Sequence, residues 1–140
     1  MINNETYRSE MASTENTMTD HKQIAQKFLE MVIAGDIDEA YLKFVSMGGQ
    51  HHNPYFRAGF PALREAMIED HVKFPDKQFA VKKVIGEGDV VAVHSQLKVR
   101  QEKKEMAVMH IFRFQGDKIV EMWDMGQPIP PDSPNSDGAF

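Results

Sequence analysis

A histidine and an aspartate near the C-terminal end of the chain are the side chains best suited to acid–base chemistry. His110 lies in the alternating segment 106–114, and Asp124 lies in the alternating segment 118–126. Every second side chain of a strand points to the same face, so each polar residue falls in an otherwise apolar row. The row of His110 contains Met106, Val108, Phe112 and Phe114, and the row of Asp124 contains Val120 and Met122.

The turn between these two segments decides whether the polar residues meet. A three-residue loop at 115–117 would place His110 opposite Met122 and diagonal to Asp124. A two-residue loop would pair His110 with Trp123 instead and send Asp124 to the other face. We favour the three-residue loop because it alone superimposes the two apolar rows. It predicts that the histidine and the aspartate face the same apolar pocket.

Two interpretations of this pair follow from its apolar surroundings. A buried polar group without a partner costs roughly 1 to 3 kcal/mol, so His110 and Asp124 are expected either to bond each other or to serve a ligand. Burial also disfavours the charged form of a carboxyl group, which makes such a group a proton donor near neutral pH. The first interpretation is a structural pair, and the second is an acid–base site.

Composition excludes several classes of function. The chain has 140 residues, a formal charge of -5 and no cysteine, which indicates one domain without disulfides or thiolate chemistry. Nucleic-acid binding is disfavoured because the basic residues are few and scattered. No apolar run approaches the roughly 20 residues of a membrane span, so a cytoplasmic location is expected. Phosphate loops, nucleophile elbows and zinc motifs are absent, so no cofactor and no metal are predicted.

The order of elements predicts an α+β fold with one domain over 19–140. Residues 1–18 are polar and read as a flexible N-terminal extension, and residues 132–140 form an extended tail whose Phe140 docks on the body or on a partner subunit. Three helices are predicted: one from an N-cap at Thr19 or Asp20 to Gly35, one that Asp36 or Asp38 caps and Met47-Gly48-Gly49 breaks, and one from Phe60 to Pro75. Strands follow over 79–85, 90–100 and the hairpin described above. Helices followed by an antiparallel sheet predict a sheet that curls over the helices.

Other histidines are weaker candidates for a site. His51 and His52 are adjacent, and in an extended segment they point in opposite directions, so at most one of them faces a pocket. His94 shares the parity of Ala92, Gln96 and Lys98, a face that becomes polar, although a bulge would change its side.

Five segments together resemble the SnoaL-like polyketide cyclases of the nuclear-transport-factor-2-like superfamily. The similarity runs from about residue 20 to the C-terminus. The segments are Gln50 to Pro54, Gly86 to His94, His110 to Phe114, Lys118 to Asp124, and Gln127-Pro128. The resemblance implies a curved antiparallel sheet that forms a cone with three N-terminal helices, a cystatin-like α+β barrel that usually dimerises through its sheet.

The resemblance also implies an activity and its residues. Characterised cyclases of this family close a ring by cofactor-free intramolecular aldol condensation, and their acid–base aspartate and pocket histidine are matched by Asp124 and His110. The ligand implied is a small apolar carbonyl compound or a polyketide-like molecule. Residues expected to bind it are His52, Trp123, His94, Tyr55, Phe112 and Met122.

Two alternatives stay open from the sequence. A proton shift like that of ketosteroid isomerases needs the same acid, base and apolar cone. A non-catalytic binding or dimerisation module would instead keep the pair as a structural bond. An open cavity of roughly 300 to 1,000 Å³ that exposes both residues favours an enzyme or a ligand binder, whereas a filled cone favours a module.

Overall fold

Helix α1 occupies residues 21–34, at the start of the part of the chain that the computed structural model describes, residues 21–140. Gly35 follows with φ of 94°, in the left-handed region that glycine adopts without strain, and so ends the helix as predicted. The predicted N-cap and the predicted extension over 1–18 lie outside the described residues. The buried apolar side chains of α1 are Ala25, Phe28, Leu29 and Met31.

Two further helices complete the layer that covers the sheet. Helix α2 spans Ile37–Phe44 and buries four side chains at helical spacing, as its pattern predicts. Helix α3 spans Phe60–Lys73, with Pro61 in the first turn, where its missing N–H leaves no helical hydrogen bond unmade. The buried residues of α2 are Ile37, Ala40, Tyr41 and Phe44, and those of α3 are Phe60 and Leu63.

Strand β1, Val45–His51, is absent from the prediction, which gave Val45 to a helix continuing to residues 47–49. The Gly48-Gly49 pair interrupts any apolar alternation, so the local pattern does not identify a strand. Gly49 lies against the neighbouring strand so closely that an added Cβ would be 2.2 Å from the carbonyl oxygen of Val120. Glycine is therefore required where β1 approaches this strand.

The five strands form one curved sheet in the order β1-β5-β4-β3-β2. The other strands are β2 (Gln78–Glu87), β3 (Val90–Val99), β4 (Lys104–Gln115) and β5 (Lys118–Pro128), with a short 3-10 turn at Arg100–Glu102. Strand β1 runs parallel to β5, and the other neighbours are antiparallel. The predicted α+β class, with three helices and a curved sheet, is confirmed.

The β4–β5 hairpin pairs differently from the prediction. Gln115 pairs with Lys118, so the turn has two residues, and the predicted three-residue loop is wrong. Beyond the turn, a bulge leaves Val120 without a partner and restores the parity of β5, so that His110 lies directly opposite Asp124. The predicted partner of His110, Met122, pairs with Phe112 instead. The two polar residues still share a face, because the shorter loop and the bulge each shift the register by one residue, and a total shift of two residues leaves every side chain on its predicted face.

The sheet has two distinct faces. Its inner face packs on the helices and buries Val91, Val93, Phe112, Phe114, Ile119 and Met122. Its opposite side, here called the outer face, carries the cross-strand row Ile85, Ala92, Ile111 and Trp123, and the neighbouring row His94, Met109 and Met125.

Residues 129–140 are irregular, and their end packs on the same chain. The Phe140 ring lies 5.5 Å from the ring of His94 and 5.4 Å from the Nζ atom of Lys82. Phe140 was expected to dock either on the body of the chain or on a partner subunit, and in the structure it docks on the body of the chain. Within residues 21–140, no helix is long and apolar enough to cross a bilayer.

Candidate functional site

A cavity of about 570 Å³ lies between the inner face of the sheet, helices α1 and α3, and the loop that follows β1. We call it the inner cavity. Most of its wall is apolar, with Leu29, Val32, Met67, Phe79, Leu97 and Met106 among the lining residues. Its polar lining consists of Asn53, Tyr55, Asp70, Lys77, His110 and Asp124. An apolar cavity of this size with a few polar groups is typical of small-molecule sites.

A second cavity of about 550 Å³ opens at the surface, beside Lys27, Lys43 and Lys118. It is lined by neither His110 nor Asp124. The inner cavity is therefore the candidate site, because it alone of the two brings together groups able to move a proton.

His110 and Asp124 face each other across strands β4 and β5. Directly opposed residues of an antiparallel pair have Cβ atoms roughly 4.5 to 5.5 Å apart on one face. Within the described residues, the buried Nδ1 atom of His110 and the buried Oδ1 atom of Asp124 have no hydrogen-bond partner. The pair is thus not a satisfied structural bond, and both side chains reach a cavity in which a ligand could bond them.

Asn53 fixes the orientation of Asp124. Its Nδ2 donates a hydrogen bond of 2.8 Å to Asp124 Oδ2, while its Oδ1 accepts one of 2.9 Å from the backbone N–H of Tyr55. An Asn side chain that bonds the backbone two residues ahead is a common turn device before proline. With Oδ2 held by Asn53, Oδ1 is the carboxyl oxygen of Asp124 that has no hydrogen-bond partner within the described residues. Sequence reasoning missed Asn53, although its position before Pro54 marks an ordered turn.

His51 holds the loop that follows β1 in place through two hydrogen bonds. Its Nε2 donates to the carbonyl oxygen of Arg57 at 2.6 Å, and its Nδ1 accepts from the backbone N–H of Asn53 at 3.2 Å. Both ring nitrogens are used, which assigns the neutral tautomer protonated on Nε2. His51 is therefore a buried structural residue that positions Asn53, and it does not line the inner cavity.

His110 is held in an aromatic environment. The Phe112 ring is parallel to it at 6.0 Å, and the Phe79 ring meets it edge-on at 6.3 Å. Burial lowers the pKa of His110 below its ordinary value of 6.5, and the nearby Asp124 opposes this effect more weakly. The imidazole is therefore neutral at pH 7 and can donate one hydrogen bond and accept another.

Acid is expected to destabilise the protein partly through His110. Between pH 6.5 and the lowered folded pKa, the unfolded chain binds a proton that the folded chain does not. The contribution is fully present above about pH 6.5 and is lost as pH falls, by at most about 1.4 kcal/mol per pH unit. Urea unfolding at pH 7.5 and pH 5.5 should show a larger loss of stability in the native protein than in His110→Gln. Equal losses in the two proteins would contradict the account.

The structure places the predicted substrate-binding residues in three different environments. Tyr55 lines the mouth of the inner cavity and is 89% exposed. Phe112 and Met122 pair with each other on the inner face, but they are 0% and 3% exposed and belong to the hydrophobic core. They pack in the core next to His110 and Asp124, and they do not line the inner cavity.

His52, Trp123 and His94 lie on or beside the outer face, away from the inner cavity. His52 stacks on Trp123 at 5.0 Å and donates to Glu121 Oε2 at 2.6 Å. The pKa of Glu121 is lowered by this hydrogen bond and then by the one from Arg113. His94 pairs with Met109, and its ring packs near Phe140. The parity of β3 therefore holds for His94, and no bulge turns it inward.

Two charged residues that line the inner cavity, Asp70 and Lys77, were not predicted. Lys77 precedes β2 and contacts Asp70 of α3 through its ammonium group. The lysine side chain is only 9% exposed, whereas that of Asp70 is 39% exposed. No three His, Asp or Glu side chains of residues 21–140 converge as metal ligands.

The sequence profile of the SnoaL-like domain matches residues 25–122. The chain belongs to the SnoaL-like family. The match covers the three helices, the loop of Asn53 and the strand of His110, and it ends two residues before Asp124. The predicted family resemblance is confirmed. No curated protein sequence matches this SnoaL-like chain significantly.

Solved structures with the same fold include proteins of different descriptions. A SnoaL-like polyketide cyclase from Agrobacterium tumefaciens is 17% identical, with a TM-score of 0.64 over 76% of this chain and 91% of that one. An NTF2-like protein of unknown function from Burkholderia xenovorans is 16% identical, with a TM-score of 0.68 over 84% and 90%. AclR from Streptomyces galilaeus, a proposed hydroxylase, is 24% identical, with a TM-score of 0.63 over 78% and 79%. At these identities the similarity establishes a shared fold.

Proposed function

We propose that this SnoaL-like protein closes a ring in a small, mostly apolar carbonyl compound by cofactor-free intramolecular aldol condensation. The observation that carries the proposal is that His110 and Asp124 both line the inner cavity, and that each has a buried polar atom without a hydrogen-bond partner among residues 21–140. The polyketide cyclase description of the Agrobacterium relative supports the choice of reaction.

Asp124 is the proposed proton carrier. Its carboxylate takes a proton from the carbon between two carbonyl groups, and the resulting enolate carbon attacks a second carbonyl carbon of the same molecule. The new C–C bond leaves an alkoxide, which recovers the proton from Asp124 before water is lost. One carboxyl group thus acts first as base and then as acid, so no external proton source is required.

His110 and Asn53 are assigned supporting roles. The neutral imidazole donates a hydrogen bond to the oxygen on which negative charge develops, and the apolar wall strengthens that bond because it excludes water. Asn53 holds one oxygen of Asp124, so that the other points at the substrate. His52 is given no role in the proposed reaction, because its side chain bonds Glu121 on the opposite side of the sheet.

A substrate screen tests the reaction. Aryl 1,3-diketones that carry a further ketone within reach of the central carbon should lose one water and give a cyclic product in the presence of the protein, as detected by mass spectrometry and NMR. Failure of all such compounds, combined with turnover of an unconjugated cyclic enone to its conjugated isomer, would assign the site to simple proton transfer instead.

We also propose that the protein forms a homodimer through the outer face. Ile85 and Met125 are 62% and 54% exposed there, in neighbouring rows of which the first also contains Trp123, and exposed apolar rows of this kind favour association. Light scattering should give twice the chain mass of 16.0 kDa. Ile85→Glu should shift the protein to a monomer, whereas Leu42→Glu, at a still more exposed position on α2, should not. A native monomer at micromolar concentration would contradict this proposal.

A further inference from the structure

The inner cavity has a second polar end, which the proposed reaction does not use. Asp70 and Lys77 lie there and are the only lining residues that form an ion pair within the described part of the chain. A charged amine in an otherwise apolar wall is costly unless it is well bonded, so this end needs its own explanation.

The sheet register separates this end from the proton-transferring end. Lys77 is two residues before Phe79, which pairs with Leu97, and Leu97 pairs with Met106. Along β4, Met106 is four residues from His110, which corresponds to about 13 Å at 3.3 Å per residue. The row of the sheet that begins beside Lys77 and the row of His110 are therefore about 13 Å apart along β4, measured between Cα atoms.

Lys77 has unused capacity to donate hydrogen bonds. An ammonium group carries three donors, and Asp70 is its partner within residues 21–140. The lysine side chain is the more buried member of the pair, and both side chains line the inner cavity. An oxygen atom of a ligand in the cavity could accept one of the remaining donors.

The charges of the cavity indicate which kind of oxygen fits. Asp70 and Lys77 formally cancel, and His110 is neutral at pH 7, so Asp124 leaves the polar lining without a surplus of positive charge. A ligand group with its own negative charge would lack a full countercharge, whereas a carbonyl or hydroxyl oxygen would gain a charge-assisted hydrogen bond at little cost.

We infer that Lys77 and Asp70 form a second subsite that binds an uncharged oxygen of the ligand, separate from the subsite of the carbonyl group at His110 and Asp124. The ligand is accordingly an elongated molecule with an oxygen function at each end, and Lys77 selects it over compounds with one apolar end. The inference rests on the proposed function for the carbonyl end of the ligand.

Equilibrium binding of three probes tests the subsite. The probes are 4,4′-diacetylbiphenyl, 4-acetyl-4′-ethylbiphenyl, which replaces one carbonyl end by an apolar group, and 4′-acetylbiphenyl-4-carboxylate, which makes that end anionic. The native protein should bind the diacetyl compound about tenfold more tightly than the ethyl compound, the size expected of a hydrogen bond to a charged donor. Lys77→Met should abolish this preference. Lys73→Met, the same change at an exposed position of α3, should preserve it.

The outcomes separate this inference from the proposed reaction, since binding needs no turnover. A preference that depends on Lys77, in a protein that closes no ring, would support the subsite and count against the reaction alone. Equal binding of the first two probes by the native protein would overturn the subsite even if Lys77→Met fails to fold. Tighter binding of the carboxylate than of the diacetyl compound would overturn the assignment of an uncharged oxygen, and binding of no probe would overturn the subsite altogether.

Discussion

Asp124→Asn is expected to lower kcat on an active substrate by about 10² to 10⁴, the usual contribution of a positioned acid or base. Asparagine has nearly the same shape and can still accept the hydrogen bond from Asn53. It cannot take up the substrate proton at neutral pH. The loss should therefore fall on turnover, measured as product formed per enzyme at saturating substrate, while ligand affinity and the urea unfolding midpoint change little.

Asp117→Asn is the matched control for this experiment. Asp117 lies in the exposed turn between β4 and β5, so its substitution removes the same charge far from the inner cavity. Its kcat should equal that of the native protein. Full activity in Asp124→Asn would refute the role assigned to Asp124, and an equal loss in Asp117→Asn would show that net charge alone is responsible.

Phe112→Ala is expected to destabilise the protein by about 3 to 5 kcal/mol, because it empties a fully buried position in the core. The Phe112 ring is parallel to His110 at 6.0 Å and meets Phe28 of α1 edge-on at 5.8 Å. Its removal should therefore appear in the free energy of unfolding, measured by urea denaturation. A change in ligand affinity larger than the change in stability would instead place Phe112 in the binding wall.

Phe79→Ala is expected to show the opposite balance, with a small effect on stability and a large effect on ligand affinity. Phe79 lines the inner cavity and is only partly buried, so its removal should cost less stability than Phe112→Ala and more affinity for an aryl ketone. The two variants together distinguish the core beneath the site from the wall of the site. Similar effects of both variants on stability and on affinity would contradict that distinction.

The sequence predicts that His110 and Asp124 lie on the same face of the sheet, but it does not predict that they pair directly across the two strands. Alternation places each residue in an apolar row, and that part of the argument depends only on strand geometry. The register depends on the bulge at Val120, where Gly49 of β1 packs against the Val120 carbonyl group. That contact joins residues about 70 positions apart, so no local pattern around the hairpin reports it.

The loop after β1 was harder to predict for the same reason. Parallel pairing of His51 with Met122 brings Asn53 to Asp124, whereas the family resemblance implied that the neighbouring His52 binds the ligand. A shift of one residue in an extended segment changes the face of the side chain, which is why His52 meets Glu121 on the outer side instead. Lys77 carried no sequence signal, because a lone lysine before a strand is usually solvated.

The resemblance to SnoaL-like proteins predicted the architecture more reliably than it predicted the roles of individual side chains. Fold and helix order follow from apolar patterns spread over the whole chain. The resemblance implied that three further residues bind the ligand, but all three lie on the outer side of the sheet: Trp123, His94 and His52. Their placement required the register of every strand between β3 and β1.

Hydrogen–deuterium exchange at carbon tests the central claim that Asp124 moves a proton within the inner cavity. The probe is 2-tetralone in D₂O, and the quantity is the rate of loss of its C1 proton signal by NMR with and without protein. The account predicts that the native protein and Asp117→Asn accelerate the exchange, and that Asp124→Asn reduces the acceleration by at least about 10². Equal acceleration by the native protein and Asp124→Asn would contradict it.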